Sequence, residues 1–162
     1  MEIIKIGSDI LRQKCESVNE ITEAHSKLAG EMFKILDASR GVGLAGPQIG
    51  VPQRIFVIRL DGDSPRVFIN PSLLETSEET ALGEEGCLSI PGVWAELRRP
   101  KRVKVQAWNE KGRPFSIEAQ GILARAILHE YDHLEGILFV DRLSELKRER
   151  LMAKYSKLKK NQ

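Results

Sequence analysis

A helical segment that ends near Gly136 carries the pattern that most restricts how this chain can fold. Ile122, Ala126, His129 and His133 are spaced by four, three and four residues, so they lie on one face of a helix. This face begins apolar and ends in two imidazoles, and a glycine just past the last turn is a common helix stop. Both histidines are therefore predicted to point into the protein interior.

The end of this helix reads HEYDH at residues 129–133, an HExxH motif. Two histidines four residues apart can bind a single divalent cation, and Glu130 beside them can reach water at the metal. The alternative is a core helix whose histidines are satisfied by ordinary hydrogen bonds. Because the helix ends directly after the motif, a pocket can open there, which favours a metal site.

A catalytic metal site of this kind needs a third protein ligand and an open position. Phe139 occupies the place where one class of metalloproteases supplies a third histidine. Cys87, in the segment EEGCLSIPG, is the preferred candidate, because a thiolate binds zinc or ferrous iron well. Its alternative is a small buried apolar residue, which is our interpretation of Cys15. Downstream acids remain open as ligands: Asp141, Glu145 and Glu149.

The segment GVGLAGPQ, residues 41–48, holds three glycines in six positions. Such a backbone can approach another chain closely, and the Gln48 amide could donate to a developing oxyanion. A plain turn and a phosphate-binding loop are the alternatives. The glycine spacing matches neither nucleotide-binding motif.

Helices and strands alternate along the chain without a βαβ repeat, which predicts an α+β fold. The expected strands cover 54–60 and 66–70, and a hairpin pairs 102–108 with 114–119. Residues 75–85 are expected to form a polar loop. Thr22 is expected to cap a helix that runs to about Ser39, and Ser144 to cap a last helix. One side of that last helix is predicted to be apolar, through Leu143, Leu146, Leu151, Tyr155 and Leu158.

The length of 162 residues suggests one domain, residues 1–162, with a sizeable core. No apolar run approaches the roughly 18 residues of a membrane span, and the N-terminus lacks the pattern of a secretory signal. With only two cysteines, a disulfide framework is excluded, and a reducing cytoplasm is the expected location.

The net charge of +2 is unevenly distributed. Residues 142–162 hold eight Lys or Arg and two Glu, a balance of +6, which leaves −4 for the rest of the chain. Such a segment can contact nucleic acid or an acidic surface, or it can be a solvated helix face.

Taken in order, GVGLAGPQ at 41–48, EEGCLS at 84–89 and HEYDH at 129–133 resemble the three signature motifs of the peptide deformylases. The match covers nearly the whole chain. The resemblance implies antiparallel sheets around a central helix that bears the HExxH motif. It also implies hydrolysis of the formyl group from polypeptides that begin with formylmethionine.

The resemblance assigns Cys87, His129 and His133 as ligands of one divalent metal. Ferrous iron is the expected ion in vivo, with nickel, cobalt or zinc as substitutes. Glu130 becomes the general acid/base. Water would attack the formyl carbon while Glu130 takes its proton and later returns it to the leaving amine.

The resemblance also places the oxyanion and the peptide. The Gln48 amide and the backbone N–H of Leu88 would hold the oxyanion together with the metal. The backbone around Val42, Gly43 and Gly86 would pair with the extended peptide. In some deformylases the C-terminal extension docks on the ribosome, so the basic segment 142–162 implies a contact with ribosomal RNA.

Some positions depart from the family pattern. Gly46 replaces a usual alanine, Leu128 replaces a usual glutamine, and Trp94 stands where relatives often carry arginine or tyrosine beside the peptide. The resemblance also implies a structural ion network among Glu85, Arg99 and Asp132, with ordinary surface pairing as the alternative. Two other functions remain as alternatives: a generic HExxH metallopeptidase, and a non-catalytic module that keeps the fold.

Overall fold

The computed structural model of the chain describes residues 1–161, so Gln162, the last position of the predicted basic helix, lies outside the described residues. Within residues 1–161, three α-helices and seven strands follow one another. The helices are α1 (Glu23–Ser39), α2 (Gly121–Leu134) and α3 (Glu145–Lys160). The strands are β1 (Gly43–Ala45), β2 (Ile55–Ile58), β3 (Arg66–Thr76), β4 (Thr80–Cys87), β5 (Ile90–Pro100), β6 (Arg102–Trp108) and β7 (Pro114–Gln120). This confirms the predicted α+β class.

All strand pairs are antiparallel and form two sheets. Five strands are joined in the order β1-β2-β3-β6-β7, and β4 pairs with β5 in a separate two-stranded sheet. The short strand β1 is therefore an edge strand of the larger sheet, which leaves one side of its backbone available for pairing.

The larger sheet lies between two helices, because both faces of its strand β2 are apolar. Ile55 and Val57 pack with α1 in one buried cluster, whereas Phe56 and Ile58 pack with α2 in another. Successive side chains of a strand point to opposite faces, so this fully buried strand serves both layers. The outcome is that α2 lies between the sheet and the β4–β5 hairpin, as the predicted central helix.

Local capping signals set the helix ends. Thr22 accepts a hydrogen bond from the backbone N–H of Ala24, and Ser144 accepts one from Lys147. Gly136, with φ of 74°, follows the end of α2, and a Cβ at this position would lie 2.5 Å from the carbonyl oxygen of Arg12. Glycine is required there on both counts.

One expectation from the sequence is wrong, and the apolar side predicted for the last helix is confirmed only in part. Residues 75–85 were expected to be a polar loop, but they contain the end of β3 and most of β4. The last helix buries only Leu151 and Tyr155 against β5, while Leu146 is 56% exposed and Leu158 38%. Strand β4 forms because it pairs with β5. Leu146 and Leu158 stay exposed because α3 contacts β5 only through a narrow strip of its surface.

Among residues 1–161, no helix is both long and apolar enough to cross a membrane.

Candidate metal centre and cleft

Three side chains with metal-ligand chemistry converge at the end of α2. Cys87, His129 and His133 each offer a ligand atom, and these atoms all lie within 4.8 Å of one another. The Cys87 sulfur is 3.4 Å from Nε2 of His133. Both histidines are buried, as predicted, and Cys87 ends β4, where the ladder with β5 shifts register. The end of strand β4 therefore places Cys87 beside two histidines of α2 that come 42 and 46 positions later in the sequence.

Glu130 lies beside this group and is almost completely buried. Its Oε2 is 4.0 Å from Nε2 of His129, and its Oε1 has no hydrogen-bond partner among residues 1–161. Burial raises the pKa of Glu130 to about 7. A carboxyl group with that pKa can exchange a proton near neutral pH, which is the property required of a general acid/base.

The residues present fit a bound cation. One thiolate and two imidazoles form a donor set that suits zinc or ferrous iron. Burial lowers the pKa of His133 well below its usual value, so this imidazole is neutral and one ring nitrogen has a lone pair available for a metal. The buried Nδ1 of His133 has no partner within residues 1–161. Burial disfavours the charged form of His129 as well, but Glu130 and Cys87 raise its pKa well above the usual value.

The other proposed third ligands lie elsewhere. Asp141 accepts a hydrogen bond from the backbone N–H of Leu138 and pairs with Arg12. Glu145 and Glu149 are exposed on α3. Cys15 is buried in the core, as expected. His25, in the first turn of α1, lies apart from this group, and its Nδ1 accepts the backbone N–H of Thr22 in a capping box.

An ion network holds one face of the site, as the resemblance implied for Glu85, Arg99 and Asp132. Arg99 donates to both oxygens of Glu85 at 2.8 Å and to Asp132 at 2.7 Å, and all three side chains are buried. Glu85 also faces Nδ1 of His129 at 2.9 Å. Burial alone would raise the pKa of Glu85, but its partners hold it well below the usual range. Glu85 stays ionised and fixes the orientation of the His129 ring.

Two arginines in this network were not predicted. Arg125 donates to Glu85 and to the carbonyl oxygens of Ala81 and Leu97, and Arg142 donates to both oxygens of Asp132. Their acceptors lie 10 to 44 residues away in sequence. Only the position of Arg125, one helical turn before His129, could have indicated its role.

A cleft of about 460 Å³ opens over these residues. Its walls come from the free edge of β1 and from β4, and they include Leu88, Gly86, Gly43 and Val42. Trp94, Val42 and Ile122 line its rim and are 61%, 49% and 73% exposed. A cleft with an apolar rim and an edge strand on one wall suits an extended peptide.

The predicted glycine segment does bring backbone close to other groups. A Cβ on Gly46 would lie 2.6 Å from the carbonyl oxygen of Val51, and one on Gly41 would lie 2.8 Å from Cδ1 of Leu88. On the opposite wall of the cleft, a Cβ on Gly86 would lie 2.4 Å from Cδ1 of Trp94. The Val42 carbonyl accepts the N–H of Arg59. Successive residues of an antiparallel strand direct their backbone N–H and C=O groups alternately toward and away from the neighbouring strand. Because Val42 bonds to the neighbouring strand, the backbone N–H and C=O of Gly43 face the open edge.

The fold, the donor set and the buried glutamate define the class as a metal-dependent hydrolase of the HExxH type. A sequence profile of the polypeptide deformylase family matches residues 1–149. A peptide deformylase from Clostridium botulinum is 49% identical over 143 residues, which cover 88% of this chain and 96% of that protein. One from Neisseria gonorrhoeae is 44% identical over 163 residues, with 99% and 97% covered.

Solved structures agree. The crystal structure of a peptide deformylase from Legionella pneumophila superposes with a TM-score of 0.93 at 38% identity, over 98% of this chain and 95% of that one. The Synechococcus elongatus enzyme in complex with actinonin gives 0.92 at 38% identity, over 96% and 85%. The chain therefore belongs to the polypeptide deformylase family. It is a metal-dependent enzyme that removes the N-formyl group from nascent polypeptides, and a generic HExxH metallopeptidase is not favoured.

Proposed function

We propose that Cys87, His129 and His133 bind the metal ion of this deformylase and that Glu130 is its general acid/base. The observation that carries this assignment is the convergence of the three donor atoms within 4.8 Å of one another, beside a buried carboxyl group. When bound, the metal supplies a Lewis acid that polarises a carbonyl oxygen and lowers the pKa of water. Ferrous iron is the proposed native ion.

The proton steps belong to Glu130. Its carboxylate takes the proton of the water that attacks the formyl carbon, and it later delivers a proton to the amine that leaves. The pKa of about 7, raised by burial, suits both steps, because neither the acid nor the base form is strongly disfavoured near neutrality. Glu85, the other buried carboxyl group described in the cleft, is not available for proton transfer, because it is bound by two arginines and faces His129.

The oxyanion is stabilised by the Gln48 amide and the backbone N–H of Leu88 in this proposal. Gln48 is buried, and its Nε2 is 3.6 Å from the sulfur of Cys87, so its N–H is directed at the metal centre. Leu88 follows Cys87 directly and lines the cleft. A neutral donor fixed before reaction stabilises developing charge without reorganisation.

The peptide is proposed to enter as an extended strand between β1 and β4. Gly43 offers the open edge of β1, Gly86 lies on the opposite wall, and Val42 contributes its exposed side chain at the rim. Glycines on both walls let the peptide backbone approach closely. Residues 1–162 are proposed to form a single catalytic domain, located in the cytoplasm, where nascent chains emerge and a thiolate ligand stays reduced.

The ligand set is tested by metal analysis of Cys87→Ser, His129→Ala and His133→Ala after loading with Co²⁺. We expect about one ion per wild-type chain, a sulfur-to-cobalt charge-transfer band that Cys87→Ser abolishes, and reduced cobalt retention in all three variants. Cys15→Ser is the matched control and should keep the band. A band that survives in Cys87→Ser but disappears in Cys15→Ser would overturn the assignment.

We also propose that α3 contacts ribosomal RNA. Lys157, Lys159 and Lys160 are exposed at its end, and phosphate is a suitable counter-charge. Deleting the helix would remove the buried Leu151 and Tyr155, so charge reversal is the better test. Glu at positions 157, 159 and 160 should abolish cosedimentation with ribosomes at low salt and spare turnover of a short peptide. Reversal of the exposed Lys27, Lys34 and Lys111 is the control, and equal cosedimentation of all three proteins would contradict the proposal.

A further inference from the structure

We infer that Ser89 is a positioning residue that fixes the carboxamide of Gln48 for catalysis. This inference rests on the proposed role of Gln48 as oxyanion donor. Ser89 is completely buried and lies two residues after Cys87. Its Oγ accepts a hydrogen bond from Nε2 of Gln48 at 3.1 Å.

The hydrogen bonds of Gln48 determine which way its amide faces. Oε1 accepts the backbone N–H of Ala45 at 2.9 Å. A backbone N–H can only donate, so the amide oxygen has to lie on that side and the amide nitrogen on the other. The NH₂ group has two N–H bonds. One is used by Ser89 Oγ, and the other is directed toward Cys87 Sγ at 3.6 Å.

This arrangement leaves one N–H for the reaction and holds it at the metal centre. Without the Ser89 hydroxyl, the amide would keep its bond to Ala45 and only the long contact of its nitrogen with Cys87 Sγ, so rotation about the last side-chain torsion would be opposed less strongly. Donors that are aligned before reaction are the ones that stabilise a transition state most strongly. The hydroxyl therefore acts through Gln48 rather than by its own contact with the reacting atoms.

The backbones of the two residues are tied by a shared element. The N–H of Ile4 donates to the carbonyl of Gln48 at 2.7 Å, and the N–H of Ile6 donates to the carbonyl of Ser89 at 2.9 Å. Alternate residues of an extended segment present their N–H groups on the same side. The N-terminal segment thus joins two loops that are 41 residues apart, and the side-chain bond is formed on a fixed frame.

The position of the amide is tested first, without reference to activity, by NMR of the zinc-loaded full chain. The two Nε2 protons of Gln48 are assigned by their loss in Gln48→Ala. We expect two well-separated, slowly exchanging resonances in the wild type. Ser89→Ala should bring them together and speed their exchange, and Ser89→Thr, which keeps the hydroxyl, should restore the separation. Unchanged Gln48 resonances in Ser89→Ala would overturn the inference.

Kinetics then test whether Ser89 acts through Gln48. Ser89→Ala should lower kcat for a formyl peptide roughly tenfold or more and change KM little. In a Gln48→Ala background the same substitution should change kcat less than about twofold, because the group it orients is absent. An equal loss in both backgrounds would indicate a structural role and contradict the inference. If the resonances move but Gln48→Ala keeps full activity, the positioning by Ser89 stands and the proposed role of Gln48 is wrong.

Discussion

The backbone of Gly43 lies against the carboxylate of Glu130. A Cβ built on Gly43 would be 2.5 Å from Oε2 and 2.9 Å from Cδ of Glu130, closer than non-bonded atoms approach. The glycine on β1 and the glutamate on α2 therefore define each other's position. The missing side chain at Gly43, which would let the peptide backbone approach, also leaves space for the Glu130 carboxylate.

Gly43→Ala is expected to displace the Glu130 carboxylate and lower kcat by roughly 10²-fold or more, because a misplaced acid/base group loses most of its contribution. Metal content, measured by mass spectrometry of the purified protein, should stay at the wild-type level. Gly30→Ala is the control, since a Cβ there meets nothing within 4 Å. Normal turnover by Gly43→Ala would show that the contact is unimportant.

Glu130→Ala should retain the metal and lose activity by ~10²–10⁴-fold, the usual contribution of general acid/base catalysis. The carboxylate is 4.0 Å from His129 Nε2, and Glu130 is not one of the three converging residues, Cys87, His129 and His133. Metal analysis and steady-state kinetics on the same preparation check both points. Loss of the metal with near-normal turnover of the remaining holoenzyme would reverse the role given to this residue.

Gln48→Leu should reduce kcat by roughly 10²–10³-fold, as expected for one oxyanion donor. Leucine has nearly the same size, so the buried space stays filled, and circular dichroism should report an unchanged fold. The effect should fall on kcat rather than KM, because the donor acts on charge that develops during reaction. A variant with raised KM and normal kcat would assign Gln48 to ground-state binding instead.

Arg99→Leu should destabilise the fold by about 3–5 kcal/mol, since it removes the one buried cation that pairs with both Glu85 and Asp132 and leaves these buried acids with only Arg125 and Arg142. Denaturant unfolding of the metal-loaded protein measures the change. Lys101→Ala is the matched control. Its partner Glu79 is 56% exposed, and surface pairs contribute only about 0–1 kcal/mol. Similar losses for the two variants would mean that the buried network is not a major source of stability.

The buried thiol of Cys15 should make the protein less stable at alkaline pH. Burial raises the pKa of its thiol to about 11, from an ordinary value of 9.0. Above pH 9 the unfolded chain releases this proton and the native chain keeps it, so the free energy of unfolding falls as pH rises, on the order of 2 kcal/mol by pH 11. Cys15→Ala should unfold with a shallower pH dependence between pH 8 and 11. Parallel curves for the two proteins would contradict this.

The site helix could be predicted because residues close together in the sequence determine it. The period that aligns Ile122, Ala126, His129 and His133 depends only on helical geometry, and the flanking Gly136 marks its end. The hairpin of β6 and β7 was likewise predicted from alternation of apolar residues and a turn. The chemistry of Cys87 and its glycine-flanked segment favoured a metal ligand over a small buried residue, and the order of three motifs that resemble a known family supported the same choice.

The remaining parts depend on contacts between distant residues. Strand β4 buries only Glu85 fully, so it shows no apolar alternation, and it forms because β5 pairs with it along its whole length. Leu146 has the residue type of a core position but lies on a helix that packs along a narrow line. Ser89 and Arg125 bind groups more than 25 residues away, and no pattern near either residue indicates the partner.

The most direct test of the account is formate release from formyl-Met-Ala-Ser by the full chain loaded with Fe²⁺ without oxygen, with Ni²⁺ as a second ion. Acetyl-Met-Ala-Ser is the matched peptide, and Cys87→Ala is the matched protein. We expect one new free amine for each formate released, intact internal peptide bonds, and almost no formate from Cys87→Ala. Formate release by Cys87→Ala at the wild-type rate would contradict this expectation.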